Sequence, residues 1–235
     1  MNHHFRKIIR NWLYPRDRLC LACLHPLDYD ETPDGILCLK CAEALGDLSE
    51  AQSLAEEAPG SPIAPGLKSL HCAFPYQDQA KMLVYQLKYY HVRRAAVPLA
   101  AAMKNLPAGD ADLVLPMPTT RRRKWERGYN QTELIAAPFA SAHKIEVHAR
   151  LLRRIDDAAS QTKVTSEERR KNVIGSMRAG SEVSGRKVLL IDDVYTTGST
   201  AAEAVRALNE AGCTDIRMLA VCRAGQKQDD VDLPF

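Results

Sequence analysis

VLLIDDVYTTGST, residues 188–200, begins with four apolar residues, turns acidic at Asp192 and Asp193, and ends in a hydroxyl-rich turn around one glycine. An unbroken apolar run is what a strand covered on both faces looks like. The turn leads into STAAEAVRALNEAG, where Ala201, Ala204, Val205 and Leu208 fall on one helical stripe and a glycine closes the helix. Strand, turn and amphipathic helix in this order are the unit of an open, mainly parallel α/β sheet. Ligands of such sheets bind outside the carboxyl ends of the strands, which is where the two acids stand. Backbone N–H groups of the turn, the hydroxyls and the helix N-terminus make a cradle for a phosphate dianion. The acids repel that same phosphate and need a neutral polyol or a metal beside them. A ribose phosphate meets both demands, with its hydroxyls on the carboxylates and its phosphate in the turn. Acids and hydroxyls also cap ordinary strand-to-helix junctions, so the surroundings have to carry part of the argument.

Other phosphate motifs fail. A metal-binding acidic strand of an ATPase requires GxxxxGK[ST]; the nearest stretch, GSEVSGRK at 180–187, has Arg186 and Lys187 in the last two positions and leads into a strand. No GxGxxG occurs, so a dinucleotide site has no support.

From residue 69 onward, apolar strands alternate with helical periodicity. SLHCAFPY reads as a strand, and Ala80, Leu83, Val84 and Leu87 mark one face of the helix that follows and ends near KYYH. A helix over RRAAVPLAAAMK is expected to bend or break at Pro98. DLVLPMP reads as a buried strand closed by Pro116 and Pro118, TELIAAPFASAHK as a helix with an internal proline, IEV as a short strand, and DIRMLAVC as the last strand. The charged region LLRRIDDAASQTKVTSEERRKNVIGSM is expected to be an exposed connection with a short helix, and GQKQDDVDLPF a frayed end.

Ahead of this unit, CLAC at 20–23 and CLKC at 38–41 give Cys20, Cys23, Cys38 and Cys41 the spacing of a four-thiolate zinc site. Four thiolates leave no open coordination position, so the metal is read as structural, supplying most of the folding free energy of a segment with little core of its own. The organisation expected is a zinc module with an N-terminal helix over 1–45, a connection over 46–68, and a catalytic-type domain over 69–235. Composition agrees with a packed protein: 46% of 235 residues are hydrophobic and 26% charged. A net charge of +3 neither demands nor excludes nucleic acid. The basic, interrupted N-terminus does not read as a signal peptide, and no run approaches a membrane span, so a cytoplasmic location is expected. Phe5, Ile8, Ile9, Trp12 and Leu13 would share one face of the first helix, either packing over the zinc module or docking a partner.

LPMPTTRRRKWERGYNQ, 115–131, places Arg121, Arg122, Arg123, Lys124 and Arg127 just after a strand end. Three readings stay open on charge patterning alone: the cations meet a pyrophosphate, they meet a nucleic-acid backbone with Trp125 and Tyr129 stacking on unpaired bases, or they form a solvated loop.

The stretch at 188–200 resembles the phosphoribosyl-pyrophosphate signature of type I phosphoribosyltransferases. LKY (87–89), LPMP (115–118), RGYNQ (127–131), Gln161, RRKNVIG (169–175) and the four-cysteine module resemble, in order, the landmarks of one branch, the ComF (GntX-like) proteins related to amidophosphoribosyltransferases. One departure is local: where LKY is usually soon followed by glycine, this chain has Tyr90 and His91. The resemblance implies a type I phosphoribosyltransferase fold. It implies that Asp192 and Asp193 engage the ribose hydroxyls, and that Thr196, Thr197, Gly198, Ser199 and Thr200 hold the 5′-phosphate. Arg121 and Arg127, the latter inside RGYN, are then the candidates for the pyrophosphate, with Mg²⁺ accompanying phosphoribosyl pyrophosphate. An enzyme transferring the phosphoribosyl group to an unnamed acceptor is the first expectation. The alternative is a nucleic-acid-handling adaptor of natural transformation that keeps the ligand site, with single-stranded DNA or DNA-uptake proteins as partners. Glutamine-dependent amide transfer is not expected, because a zinc module occupies the place of the glutaminase domain.

Overall fold

The computed structural model describes residues 19–27, 35–55, 63–155 and 175–224, the side chains of 48–55 excepted. The expected first helix, Gln161, residues 169–174 of RRKNVIG and the C-terminal tail lie outside the described residues.

In chain order the elements are α1 (Leu39–Ala55), β1 (Ser69–Pro75), α2 (Asp78–Tyr89), α3 (Ala96–Met103), β2 (Leu113–Pro116), α4 (Arg121–Arg127), α5 (Gln131–His143), β3 (Glu146–Val147), β4 (Leu152–Arg154), β5 (Met177–Ala179), β6 (Lys187–Tyr195), α6 (Ser199–Glu210) and β7 (Asp215–Arg223). Short 3₁₀ turns at Arg93–Ala95 and Ser181–Val183 precede α3 and β6. Five strands form a parallel sheet in the order β1-β7-β6-β2-β3. This is the open parallel α/β sheet that the sequence predicts, and β6 lies at its centre.

Helices cover both faces. On one face Leu83, Leu87, Leu99, Met103, Ile135 and Phe139 pack against Leu189 and Ile191 of β6; on the other Val188 and Leu190 meet Leu152, Met177, Val205 and Leu208. Cys20, Ile36, Leu37, Cys41 and Leu45 belong to the first of these cores. The cysteine segment therefore shares its buried surface with the sheet, and α1 packs beside β1.

Three segments differ from expectation. Helix α1 runs from Leu39 to Ala55 and so covers the first part of the stretch expected to connect the two units at 46–68. Pro98 stands in the first turn of α3, where its missing N–H has no intrahelical partner to lose, so the expected break becomes a helix start preceded by a 3₁₀ turn. The charged region expected to be a connection holds β4 and β5 at its two ends, paired antiparallel as a separate two-stranded sheet. Each is three residues long with one wholly buried apolar residue, Leu152 or Met177, too short a pattern to show a strand period. No helix among the described residues is long and apolar enough to cross a membrane.

Candidate functional site

Strand β2 ends at Pro116, opposite Ile191, and Met117 N–H donates to the Ile191 carbonyl at 2.8 Å. Past that point β6 has no ladder neighbour on this side among the described residues, while β7 stays paired with it as far as Tyr195. The two acids thus lie inside the strand, at the level where one flank has opened, and not beyond its end. Successive residues of a strand alternate faces, and the acidic pair is accordingly split.

Asp193 goes to the face of α2 and α5 and is buried, 3% exposed. The Lys88 ammonium, from the end of α2, lies 2.7 Å from its Oδ1, and Gln131 Nε2, from the start of α5, donates to its Oδ2 at 2.7 Å. Burial works against the charge of Lys88, but the Asp193 carboxylate outweighs it and raises the Lys88 pKa. Asp192 faces the other way and is partly exposed, its Oδ1 accepting the Asp193 N–H at 2.8 Å. Burial, and then the charge of Asp193, push its carboxyl up to about 7; Lys88 and Arg154 pull in the opposite direction.

RGYNQ explains how Gln131 reaches this point. Gly128 closes α4 in the left-handed conformation at φ 75°, which lets the chain reverse. The Tyr129 hydroxyl donates to the Leu87 carbonyl at 2.6 Å, tying the turn to the residue before Lys88. The Asn130 side chain caps α5 and donates to the Met117 carbonyl at 3.1 Å, fixing the turn to the end of β2. Arg127 donates to Gln131 Oε1 at 2.8 Å with its guanidinium 5.9 Å from the Tyr89 ring centroid. A chain of polar contacts runs Arg127–Gln131–Asp193–Lys88. Three separated stretches, LKY, RGYNQ and IDD, meet in it.

Lys88 and Gln131 are not singled out by residue chemistry in the sequence. A lysine on a helix near tyrosines reads as a solvated cation, and only its burial against Asp193 distinguishes it. The period-2 rule applied to Asp192 and Asp193 does announce that they serve different faces.

The turn from Thr196 to Thr200 follows directly. Tyr195 is 2% exposed, and its hydroxyl accepts the Ala64 N–H at 3.0 Å, anchoring the chain ahead of β1 beneath the turn. Gly198 sits at φ 76° at the start of α6, and a Cβ there would collide with the Tyr195 hydroxyl. No side chain among the described residues caps this helix N-terminus. Thr196 and Thr197 are exposed, Ser199 and Thr200 partly so, and Thr197 Oγ1 donates to Ser199 Oγ at 3.2 Å. Amide donors and hydroxyls with a positive helix end are what an anion requires.

The basic residues of α4 divide. Arg122 pairs with Glu126 at 2.7 Å and Lys124 with Glu133 at 3.0 Å, on the surface. Trp125 is 86% exposed between them. Arg127 belongs to the buried chain just described, whereas Arg121, at the other end of the helix, lines a cleft with residues of β4 and β5.

The cysteine spacing closes into one cluster. The sulfurs of Cys20, Cys23, Cys38 and Cys41 all lie within 4.8 Å of one another, with Cys23 and Cys38 at 3.8 Å. The edge of a zinc-thiolate tetrahedron is about 3.8 Å for bonds of about 2.3 Å, so the donor set fits zinc. Burial raises the Cys20 thiol, but backbone N–H groups, that of Cys38 foremost, outweigh it and bring the pKa down to about 7, favouring a thiolate.

Residues 138–234 match the family described as Phosphoribosyl transferase domain. The DNA utilization protein YhgH of Salmonella typhimurium is 26% identical over 219 residues, 87% of this chain and 96% of the relative. Competence protein F of Haemophilus influenzae is 29% identical over 116 residues, 48% of this chain and 51% of the relative. Competence protein ComFC of Streptococcus pneumoniae is 32% identical over 109 residues, 46% of each chain. The central β6 and its turn lie inside the matched region, and the relatives are consistent with a ComF-like phosphoribosyltransferase-domain family.

Proposed function

We propose that the protein binds phosphoribosyl pyrophosphate with Mg²⁺ at the carboxyl end of β6 and transfers the phosphoribosyl group to an acceptor, in a process linked to competence and DNA utilisation. The observation that carries this reading is the meeting of LKY, RGYNQ and IDD beside an uncapped helix N-terminus. In it, Asp192 and Asp193 make the acidic strand end at the ribose, with separate parts. Asp192 faces the sugar hydroxyls, and Asp193, held by Lys88 and Gln131, fixes the strand end that presents them. Thr196, Thr197, Gly198, Ser199 and Thr200 hold the 5′-phosphate. Arg121 and Arg127 neutralise the pyrophosphate, and Mg²⁺, accompanying the ligand near the Asp192 carboxylate, would supply further neutralisation of the leaving group's charge. The bond from the anomeric carbon to the pyrophosphate oxygen breaks as the acceptor's lone pair attacks, and pyrophosphate leaves. Positioning and charge stabilisation are then the protein's share of the catalysis. The four cysteines hold a structural zinc in the N-terminal module, 69–235 is the transferase unit, and the protein works in the cytoplasm.

Calorimetric titration of phosphoribosyl pyrophosphate with Mg²⁺ tests the site. Saturable binding abolished by Asp192→Asn with Asp193→Asn is the expected result, and the absence of binding removes the assignment. Pyrophosphate release in the presence of nucleobases, amines or ammonia tests the transfer.

A second reading is favoured by one observation: Trp125, almost fully exposed among Arg121, Arg122, Arg123 and Lys124. An aromatic face flanked by cations suits single-stranded nucleic acid. Single-strand binding that weakens steeply with salt and is lost on charge reversal at Arg121 to Lys124 supports it; salt-independent binding opposes it.

A further inference from the structure

Arg127 is held differently from its neighbours on α4. Arg122 pairs with Glu126 and Lys124 with Glu133, so acids neutralise both. Among the described residues no carboxylate pairs with Arg127. It is held by groups that carry no charge: Nη1 donates to Gln131 Oε1 at 2.8 Å, and the guanidinium lies 5.9 Å from the Tyr89 ring centroid. A guanidinium has more N–H donors than these contacts use. Neutral tethers fix its direction without cancelling its charge. Gln131 can act as such a tether because of what stands behind it. A carboxylate only accepts and a guanidinium only donates, so the amide between them has one orientation, with Nε2 on Asp193 at 2.7 Å and Oε1 on Arg127. Donation to a carboxylate polarises the amide and makes Oε1 the stronger acceptor. Gln131 itself is buried, and its backbone is fixed by Asn130 on the Met117 carbonyl and by Tyr129 on the Leu87 carbonyl. A carboxylate at this position would repel Asp193 and neutralise Arg127, and an apolar side chain would hold neither.

We propose that Gln131 is a positioning residue for the leaving group: it takes its orientation from Asp193 and holds Arg127, with its charge intact, for the pyrophosphate of phosphoribosyl pyrophosphate. The inference rests on the ribose-phosphate reading for the identity of the ligand, and on the unneutralised guanidinium and its amide tether for the role.

A double-mutant cycle on Arg127→Gln and Gln131→Met tests this, read by calorimetric titration of pyrophosphate with Mg²⁺, and separately of ribose 5-phosphate, into the full, zinc-loaded chain. Gln131→Met is expected to weaken pyrophosphate about 10-fold or more, the loss of one charge-assisted hydrogen bond, and ribose 5-phosphate less than about 2-fold. In the Arg127→Gln background the same change should alter pyrophosphate affinity by less than about 2-fold, because a residue acting through Arg127 has nothing left to position. A residue with a purely structural role would move both ligands, with or without Arg127. Equal losses for the two ligands, an undiminished effect in the Arg127→Gln background, pyrophosphate affinity untouched by Arg127→Gln, or a parent that binds no pyrophosphate would each overturn the inference. A parent that binds pyrophosphate but no ribose 5-phosphate removes the ribose-phosphate reading, while the cycle on pyrophosphate still decides the role of Gln131. If Gln131→Met does not fold, as judged by its melt, Gln131→Asn takes its place: its amide is one methylene too short to reach Arg127 and Asp193 together, and the same losses are expected.

Discussion

At the residue scale the acidic pair is two residues with two tasks. Asp193 is buried in an ion pair, and removing its partner would leave the charge without compensation. Lys88→Met is therefore expected to lower stability by about 3 kcal/mol in urea denaturation, and Asp193→Asn in that background to restore part of the loss. Asp192 behaves differently. Its native pKa of about 7 lies above the ordinary 3.8, so the folded chain binds the proton more tightly. The corresponding stability is fully present below pH about 4 and is lost as the pH rises through about 7. Asp192→Asn should flatten that part of the stability curve, whose slope from a single group is at most about 1.4 kcal/mol per pH unit. A ligand that engages the carboxylate form binds more tightly as pH rises from 6 to 8. Affinity for phosphoribosyl pyrophosphate with Mg²⁺, measured across that range, should show this slope in the parent and not in Asp192→Asn.

At the scale of elements, α6 does more than begin at the turn 196–200. Glu203, 3% exposed, accepts the Met177 N–H of β5 at 2.9 Å and pairs with Arg206, whose guanidinium donates to the Met177 carbonyl at 3.1 Å. One helix thus carries the turn at its N-terminus and, a turn further on, a clamp on the small sheet. Glu203→Ala leaves a buried N–H without its acceptor and is expected to cost about 2 kcal/mol in denaturant unfolding. Gly198→Ala meets both a positive φ and the Tyr195 hydroxyl, so about 1–3 kcal/mol of strain is expected. Circular dichroism melts would record the loss. Phosphate binding at the turn should weaken with it, because the backbone that presents the amides has to move.

At the scale of the molecule, the cysteine segment and the sheet are joined through one core. Cys20, Cys41 and Leu45 are buried in the same cluster as Phe74, Leu83 and Leu99. Chelation of the zinc proposed for the four cysteines, or Cys20→Ser, is consequently expected to lower the Tm of the whole chain as well as to unfold its N-terminal segment, since apparent zinc energies are about 10 kcal/mol or more. A melt showing an unchanged main transition after chelation would mean that the shared core does not couple the two parts. The amino ends of β1 and β7 have their own staple: Asp215, at the start of β7, takes Lys68 at 2.7 Å and Arg217 at 2.9 Å.

Much of this was legible in the residues. The apolar run of β6, the helical stripe of α6, the CxxC spacing and the turn chemistry at 196–200 each follow from local rules of period, ligand geometry and backbone freedom, and local rules are written in consecutive residues. Two short strands in a charged region escaped, because three residues hold too little pattern to show a period. What only the tertiary structure decided is which residues from distant segments share a site. Lys88 and Gln131 are separated in the chain by α3, β2 and α4, and Gln131 and Asp193 by α5 and β3 to β5, and Arg153 faces Arg178 through a register no local signal encodes. The partnership of Lys88, Gln131 and Asp193 arises where α2 and α5 cover one face of β6, and burial there changes the meaning of a lysine and a glutamine that residue chemistry alone presents as ordinary surface residues.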